Sequence, residues 1–518
     1  MGSKFKVLLV NPANDPEALK SGNYAVFHPI GIIQIATYLR KELGKILDIQ
    51  ICDELLNPDI DKAIRSSDLV GVSMLRANVR QALVILEKAK KTGLITIAGN
   101  DHATQHADEL LKNTKYIDYI LRGDYTEKPF KSLLKKIISS ENQPERLADI
   151  PSLSFSVRDS IGKVIDVAHN PMKTYPMDDI PAADMTILSP EDRQKYIQLY
   201  RSKFAPFHAD ISTINPVVLN IAQGCERYKT PCLFCGIVDL RLRSKSPEKI
   251  FDEIRANYAL GYNYFYVIAD DFTSFGKSIG GKKSLLQKLY EQWDSELGSI
   301  ADKIEFFVYA KADNLVDKNG KPNEQILSYI KKFRVTRMNI GIESGSPEIL
   351  QRGVGKSATI KQNLEAILLC KKEGIQLHIS FVLGGIGETT GSLWETFRFI
   401  RNILDITSQG GKSNIVVLEV APLLPVSGSK AWRLMTEPIE AKKAIHSHNI
   451  NNPKSLELNE DKLENITKKW ARSENFDRED LIKDWVEIFT HMELEDVQEY
   501  CMLIKTLCDN YGILTGGY

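Results

Sequence analysis

The sequence predicts an α/β chain in three parts: an N-terminal doubly wound parallel sheet, a central partial (β/α)6 barrel and a C-terminal helical region. Three observations predict it. Short apolar runs alternate with helical periodicity from Lys6 to about Lys136, a second series of the same kind begins near Pro216, and the pattern after Pro425 is charged and helical. Parallel neighbours need a crossover between them, so strands separated by helices read as a parallel sheet covered by helices.

In the first series the strands are VLLVNP (7–12), ILDIQIC (46–52), LVGVSM (69–74) and LITIAG (94–99), with helices over 31–43 and 78–91. A doubly wound sheet takes its ligand beyond the C-terminal ends of its strands. Those ends are the loops after Pro12, Met74 and Gly99, the last reading Asn100-Asp101-His102-Ala103-Thr104. Residues 141–205 contain Pro144, Pro151, Pro171, Pro176, Pro181 and Pro190 with no sustained period, and read as a linker between a domain at 1–140 and one at 206–425. The second series has strands at 216–221, 264–268, 304–310, 337–342, 377–383 and 414–420, with helices over 247–261 and 358–374, the latter ended by Gly374. Six strands give a partial barrel, whose chemistry belongs at the C-terminal strand ends. Residues 426–518, with a long helical stretch over 477–512, read as a helical cap that closes the cavity and selects the substrate.

A length of 518 residues excludes a single small module, and 43% hydrophobic with 26% charged residues excludes wholesale disorder. Lys plus Arg and Asp plus Glu both total 67, so no chain-wide field favours nucleic acid. No apolar run approaches the roughly 20 residues of a membrane span, and the N-terminus has no signal-peptide core. A cytoplasmic protein with no nucleic-acid partner is the expectation. The seven cysteines are Cys52, Cys225, Cys232, Cys235, Cys370, Cys501 and Cys508, an odd number that does not resemble a disulfide framework.

Cys225, Cys232 and Cys235 fall in one loop after the first barrel strand. Thiolates are soft ligands for zinc or iron-sulfur clusters. A structural zinc needs four protein ligands, and the next cysteine, Cys370, lies in a predicted helix. Three thiolates suit a cubane [4Fe-4S] cluster with one iron left open, against the plain reading of three core cysteines. Other patterns carry less. His102 and His106, with Asp101 and Glu109 nearby, have the spacing of a zinc pair but no third ligand. Gly276 to Lys283 approaches a phosphate loop, yet Lys283 stands where Ser or Thr is needed. His446 and His448 read as solvent-facing, and Trp394, Trp432 and Trp470 as core.

On these residues the chain resembles the radical S-adenosylmethionine (radical SAM) enzymes. The usual family loop has three residues between its first two cysteines; here there are six, with Phe234 in the family's aromatic position. The resemblance implies that Cys225, Cys232 and Cys235 ligate three irons while SAM chelates the fourth. It also implies that Asp270 and Asp271 face the SAM amino group, that Lys311, following the third strand, is a cofactor contact, and that Glu343 bonds ribose hydroxyls. Ser380, Gly384 and Gly385 would lie on and after the fifth strand, where close approach of adenine favours glycine.

The N-terminal domain resembles the cobalamin-binding domain of the B12-dependent branch through Val10-Asn11-Pro12, His28-Pro29-Ile30-Gly31, Ser73, the stretch from Ala98 to Thr104, and Leu121-Arg122-Gly123-Asp124. Asn11, Ser73, Gly99, Asn100 and His102 are the implied corrin contacts. Asn100 and Asp101 replace a glycine and a proline of the family pattern, and asparagine tolerates a left-handed backbone. What the resemblance implies is a cobalamin-dependent methyltransferase acting on an unactivated carbon of a small-molecule, lipid or peptide substrate, fed by a low-potential donor such as ferredoxin or flavodoxin. The alternative is a radical SAM enzyme with a vestigial B12-type domain that performs cyclisation or rearrangement. A non-enzymatic electron carrier is a third class, disfavoured because a carrier needs no six-stranded barrel.

Overall fold

The computed structural model describes residues 4–15, 26–57, 59–205, 208, 210–237, 241–278, 280–452, 454–457, 459–471 and 478–517. They form two compact units, one reaching Val218 and including Glu248–Gly261, the other made of Leu219–Pro247 and the chain from Tyr262.

The first unit is a seven-stranded sheet in the order β2-β1-β3-β4-β5-β6-β7, with β1 Phe5–Asn11, β2 Leu47–Asp53, β3 Leu69–Ser73, β4 Ile95–Gly99, β5 Tyr119–Leu121, β6 Leu153–Arg158 and β7 Val164–His169. The first five strands are parallel. Both faces of β1 are buried, as a helix-covered parallel sheet requires. Val7 and Leu9 pack with Ile32, Leu39, Phe130 and Leu133, while Leu8 and Val10 pack with Ile85 and Leu86. These partners lie on the helices Ile30–Leu43, Glu127–Ile138 and Val79–Lys91, one or two of them on each face.

The expected linker at 141–205 is corrected. Its β6 and β7 form an antiparallel hairpin that extends the sheet, followed by a helix at Pro190–Phe204. Asp159 Oδ1 accepts from the N–H groups of Ile161 and Lys163, and Gly162 takes φ 81°, a turn that suits a hairpin. Pro151 and Pro171 bound the two strands from outside, where proline does no harm to pairing.

The second unit is a seven-stranded sheet in the order β16-β15-β14-β13-β12-β11-β8. Its strands are β8 Pro216–Asn220, β11 Tyr264–Ile268, β12 Glu305–Ala310, β13 Val335–Glu343, β14 Gln376–Leu383, β15 Ile415–Pro422 and β16 Leu514–Gly517. A separate short pair joins β9 Ala222–Gln223 to β10 Arg243–Ser244. Helices Leu285–Leu297, Glu324–Lys332, Ile360–Lys372 and Thr390–Ser408 follow successive strands, and Gly374 ends the third of them at φ 70° as the sequence predicts. On β14 the outward residues Leu377, Ile379, Phe381 and Leu383 are buried against helices, while Gln376, His378, Ser380 and Val382 are half-buried and face inward. The charge of Glu419 on β15 bears on the phenol of Tyr266 on β11. Leu233, in the loop that follows β8, bonds Val354 beyond β13 and Ala431 beyond β15, so the strand ends from both sides of the sheet draw together and the sheet curls around a lumen.

Strand β16 was not among the six expected strands; it pairs with β15 in parallel from far along the chain. The C-terminal region is otherwise helical, with helices Lys430–Thr436, Pro438–Asn451, Glu460–Ala471, Arg478–Phe489 and Leu494–Asn510; the first residue of the stretch predicted to be helical, 477, lies outside the described residues. Two side-chain expectations are corrected. Trp394 is 47% exposed, stacked on Phe397 rather than in the core. His448 is half-buried, its ring lying over Gly387 where a Cβ would stand 2.1 Å from Cε1. Residue 279 of the Gly276–Lys283 loop is outside the described residues. Among the described residues no helix is long and apolar enough to cross a membrane.

Candidate functional site

The cysteine loop leaves β9 through Gly224, which takes φ 97° and donates its N–H to Asp270 Oδ2 at 2.6 Å. The longer spacer is absorbed by turns: Tyr228 N–H donates to the Cys225 carbonyl and Thr230 N–H to that of Arg227. Between the second and third cysteines Leu233 is pinned from both sides. Its N–H donates to Val354 O at 3.0 Å and its carbonyl accepts from Ala431 N–H at 2.8 Å. Gly236 then passes so close to Val426 that a Cβ would stand 2.7 Å from Cγ2.

The three thiols are free and partly exposed, whereas Cys370, Cys501 and Cys508 are buried in helices. Burial pushes the Cys225 thiol up to about 11 and raises that of Cys235, so a metal must displace protons to bind. Among the described residues no three His, Cys, Asp or Glu side chains close on a single ion. A set of three soft donors from one loop, with no fourth cysteine beside it, fits the open-cornered cubane and not a structural zinc.

The strand-end residues divide into those that hold this loop and those that face the lumen. Asp270 holds the loop through Gly224. Asp271 is reassigned: it is 1% exposed and accepts from Thr273 Oγ1, Ser274 N and Oγ, and Asn314 Nδ2, which makes it the cap of the turn Phe272–Gly276 rather than a ligand contact. Lys311 pairs with Glu226 at 2.6 Å and Asp313 at 3.5 Å, and Lys277 reaches the other Glu226 oxygen at 2.5 Å. Burial alone raises the Glu226 carboxyl, but these two ammonium groups hold it below its ordinary range. The pairing ties the cysteine loop to the end of β12.

Glu343 ends β13 at φ 66°, after a register shift, with its side chain 5% exposed. Lys356, which sequence reasoning missed, stands 3.0 Å from Glu343 Oε1 and 5.9 Å from the Phe234 ring centroid. Burial lowers the Lys356 ammonium, but the charges of Glu343 and Cys232 raise it above its ordinary range. Gly341 makes room for the pair, since a Cβ there would lie 2.1 Å from Glu343 Oε1. The sequence signal for Lys356 is slight: a lysine preceded by Gly353 and Gly355.

Ser380 faces the lumen between Gly341 on β13 and Glu419 on β15. Gly384 and Gly385 open the next turn, and both donate to Glu388 Oε2, at 3.1 and 3.3 Å. Trp485 Nε1 donates to Gly384 O, the Gly387 N–H to Phe489 O, and His491 N–H to Glu388 O. The C-terminal helices are thereby fastened to the glycine turn. Burial pushes the Glu388 carboxyl up to about 7 despite its bond from Ser392. A carboxyl raised on folding keeps its proton after the unfolded chain has lost one, so folding weakens as pH climbs from about 4.5 to 7. Glu388→Gln is expected to remove that slope, with wild type losing about 3 kcal/mol more than the variant over the interval. Urea unfolding at pH 5 and pH 8 checks it; parallel losses refute it.

In the first unit the ends of β1, β3 and β4 bring Asn11, Ser73, Gly99 and Asn100 together as polar, partly exposed strand ends. Asn100 takes φ 81°, as the replaced glycine would, and its Nδ2 donates to Ser73 Oγ at 2.9 Å. Asn11 bonds the Asp53 carboxyl. His102 is 4% exposed, its ring stacks on His106 at 4.5 Å, and burial pushes it down to about 2, leaving it neutral.

Comparison with known proteins follows this division. Residues 219–400 match the radical SAM superfamily and residues 23–133 the B12 binding domain. The anaerobic magnesium-protoporphyrin IX monomethyl ester cyclase of Rubrivivax gelatinosus is 23% identical over 77% of this chain and 66% of its own length, just under two thirds. An uncharacterized methyltransferase of Pyrococcus horikoshii is 24% identical over 83% of this chain and 82% of its own. Among solved structures, the cobalamin-dependent S-adenosylmethionine radical enzyme OxsB, with aqua-cobalamin and S-adenosylmethionine bound, is similar with a TM-score of 0.60 at 17% identity, over 98% of this chain and 62% of that one. The radical S-adenosylmethionine methyltransferase TsrM from Kitasatospora setae is similar with a TM-score of 0.61 at 16% identity, over 88% and 81%. These structural likenesses are likenesses of fold. The radical SAM domain implies a [4Fe-4S] cluster and SAM, and the B12-binding domain supports cobalamin. The chain thus joins a radical SAM domain to a B12-binding domain.

Proposed function

We propose that this chain is a cobalamin-dependent radical SAM methyltransferase that methylates an unactivated carbon of its substrate. The observation that carries the reading is a loop of three free thiols at the C-terminal end of the curled sheet, on a chain that also holds a B12-binding domain. The methyltransferase among the similar chains supports it. Cys225, Cys232 and Cys235 would hold the cluster, with Phe234, between the second and third in sequence, as a cofactor contact. Glu343 and Lys356 offer SAM a buried carboxylate and a buried ammonium side by side, suited to ribose hydroxyls and to a carboxylate group. Ser380, Gly384 and Gly385 border the same end, and Lys311 and Asp270 keep the cysteine loop in place. Asn11, Ser73, Gly99 and Asn100 would receive the corrin. When bound, these groups supply one-electron cleavage of SAM, hydrogen abstraction from the substrate and a transferable methyl group. A ferredoxin or flavodoxin as donor and a cytoplasmic location complete the proposal.

A second reading, a radical cyclisation, is favoured by the similar cyclase. Anaerobic expression with hydroxocobalamin, followed by incubation with reductant and methyl-labelled SAM, separates them. Methylation predicts bound cobalamin, 5′-deoxyadenosine and label in a product. Deoxyadenosine without cobalamin or label selects cyclisation, and no deoxyadenosine at all refutes both.

A further inference from the structure

We infer that the barrel lumen takes a substrate bearing a protonated amine, seated on the Glu419 carboxylate against the phenols of Tyr266 and Tyr309. This rests on the proposed reading, in which chemistry occurs at this end of the sheet. Glu419, Ser380 and Gly341 lie in one register row across β15, β14 and β13, with Gly516 of β16 on the other side. A Cβ at Gly516 would stand 2.9 Å from Glu419 Cγ, so the bare backbone there makes room for the Glu419 stem. The Glu419 side chain is 31% exposed, and Oε1 stands 3.1 Å from His378 Nε2, the inward residue one row deeper. Across the lumen Tyr266 and Tyr309 share a hydrogen bond of 2.7 Å between their hydroxyls. Tyr309 lies in one row with Asn339 on β13 and His378 on β14, at the depth the Glu419 carboxylate reaches, and the charge of Glu419 bears on both phenols.

The charges decide the ligand class. Deeper in, Arg337 is 1% exposed, lies over the Phe307 ring at 5.6 Å and donates to Gln376 Oε1, so this cation is engaged by the fold. Lys311 and Lys277 are turned onto Glu226. What remains is the partly exposed Glu419 carboxylate beside His378, in a lumen whose β11 and β12 side carries the ring cluster of Tyr266, Phe307 and Tyr309. A carboxylate in a lumen that also holds aromatic rings attracts a cation through ion pairing and, where the ligand reaches a ring face, through the ring quadrupole, and repels an anion.

The test uses the anaerobically reconstituted holoenzyme and two isosteric probes, phenethylammonium and 3-phenylpropionate, with binding read by saturation-transfer NMR. Phenethylammonium is expected to bind, 3-phenylpropionate not to, and Glu419→Gln to weaken the amine at least tenfold. Tyr309→Phe, which keeps the ring, is expected to weaken it less, and Glu440→Gln on the surface to leave it unchanged; thermal melting confirms that each variant folds. Equal binding of the two probes, binding of neither, or amine binding that survives Glu419→Gln overturns the inference. Formation of 5′-deoxyadenosine is measured separately. Holoenzyme that cleaves SAM but binds no amine removes this inference alone, whereas amine binding without SAM cleavage removes the proposed function.

Discussion

Replacing Cys232 by alanine is expected to abolish the iron-sulfur chromophore, to remove bound iron and sulfide, and to reduce 5′-deoxyadenosine to the level of an enzyme-free control. The reason is the size of the donor set. Three thiols from one loop are all that the described residues of this region supply; of the remaining cysteines, Cys370, Cys501 and Cys508 are buried in helices and Cys52 in strand β2. Losing one leaves two irons without a protein ligand. The backbone of the loop should survive, because Leu233 is held by Val354 and Ala431 whatever the side chain at 232. Cys370→Ala, inside its helix, is expected to leave iron content intact. Iron and sulfide retained by the Cys232 variant, or SAM cleavage by it, would refute the ligand assignment.

Lys356→Met is expected to destabilise the second unit by about 3 kcal/mol, the lower end of what stripping one partner from a buried ion pair costs, because the lysine side chain keeps 14% of its surface exposed. The loss arises less from the missing attraction than from the Glu343 carboxylate left without its ammonium at 5% exposure. Adding Glu343→Gln should therefore recover much of it, a non-additivity characteristic of groups in direct contact. Guanidinium unfolding of the wild type, both single variants and the double variant measures the coupling. Single-variant losses that merely add would show that the pair is not a unit.

Much of this was readable from residues alone, and the failures have physical causes. The long parallel strands of the first unit announced themselves because both faces are buried, so apolar runs such as VLLVNP and LVGVSM stand out from the helices between them. The β6–β7 hairpin was hidden by its bounding prolines, although Asp159 and Gly162 at fixed spacing carried the turn signal. Strand β16 is four residues long with two glycines, and nothing local marks it as a partner of β15. In the site, three cysteines in one loop are conspicuous at any distance from a structure. Asp270 and Asp271 are not separable that way, except that Ser274 three residues beyond Asp271 matches a capping pattern. Lys356 was invisible because its partner reaches it only through the left-handed backbone at Glu343.

The late position of β16 has a bearing on biosynthesis. The chain from Leu423 to Ile513 must leave the ribosome before the segment that covers the outer edge of β15 appears. At about 5–20 residues per second, that edge stays open on the order of five to twenty seconds in every nascent molecule. An unpaired edge is a template for other chains, so slow stretches of message in this interval, or a scarcity of chaperone, should lower the soluble yield more than the same changes made upstream.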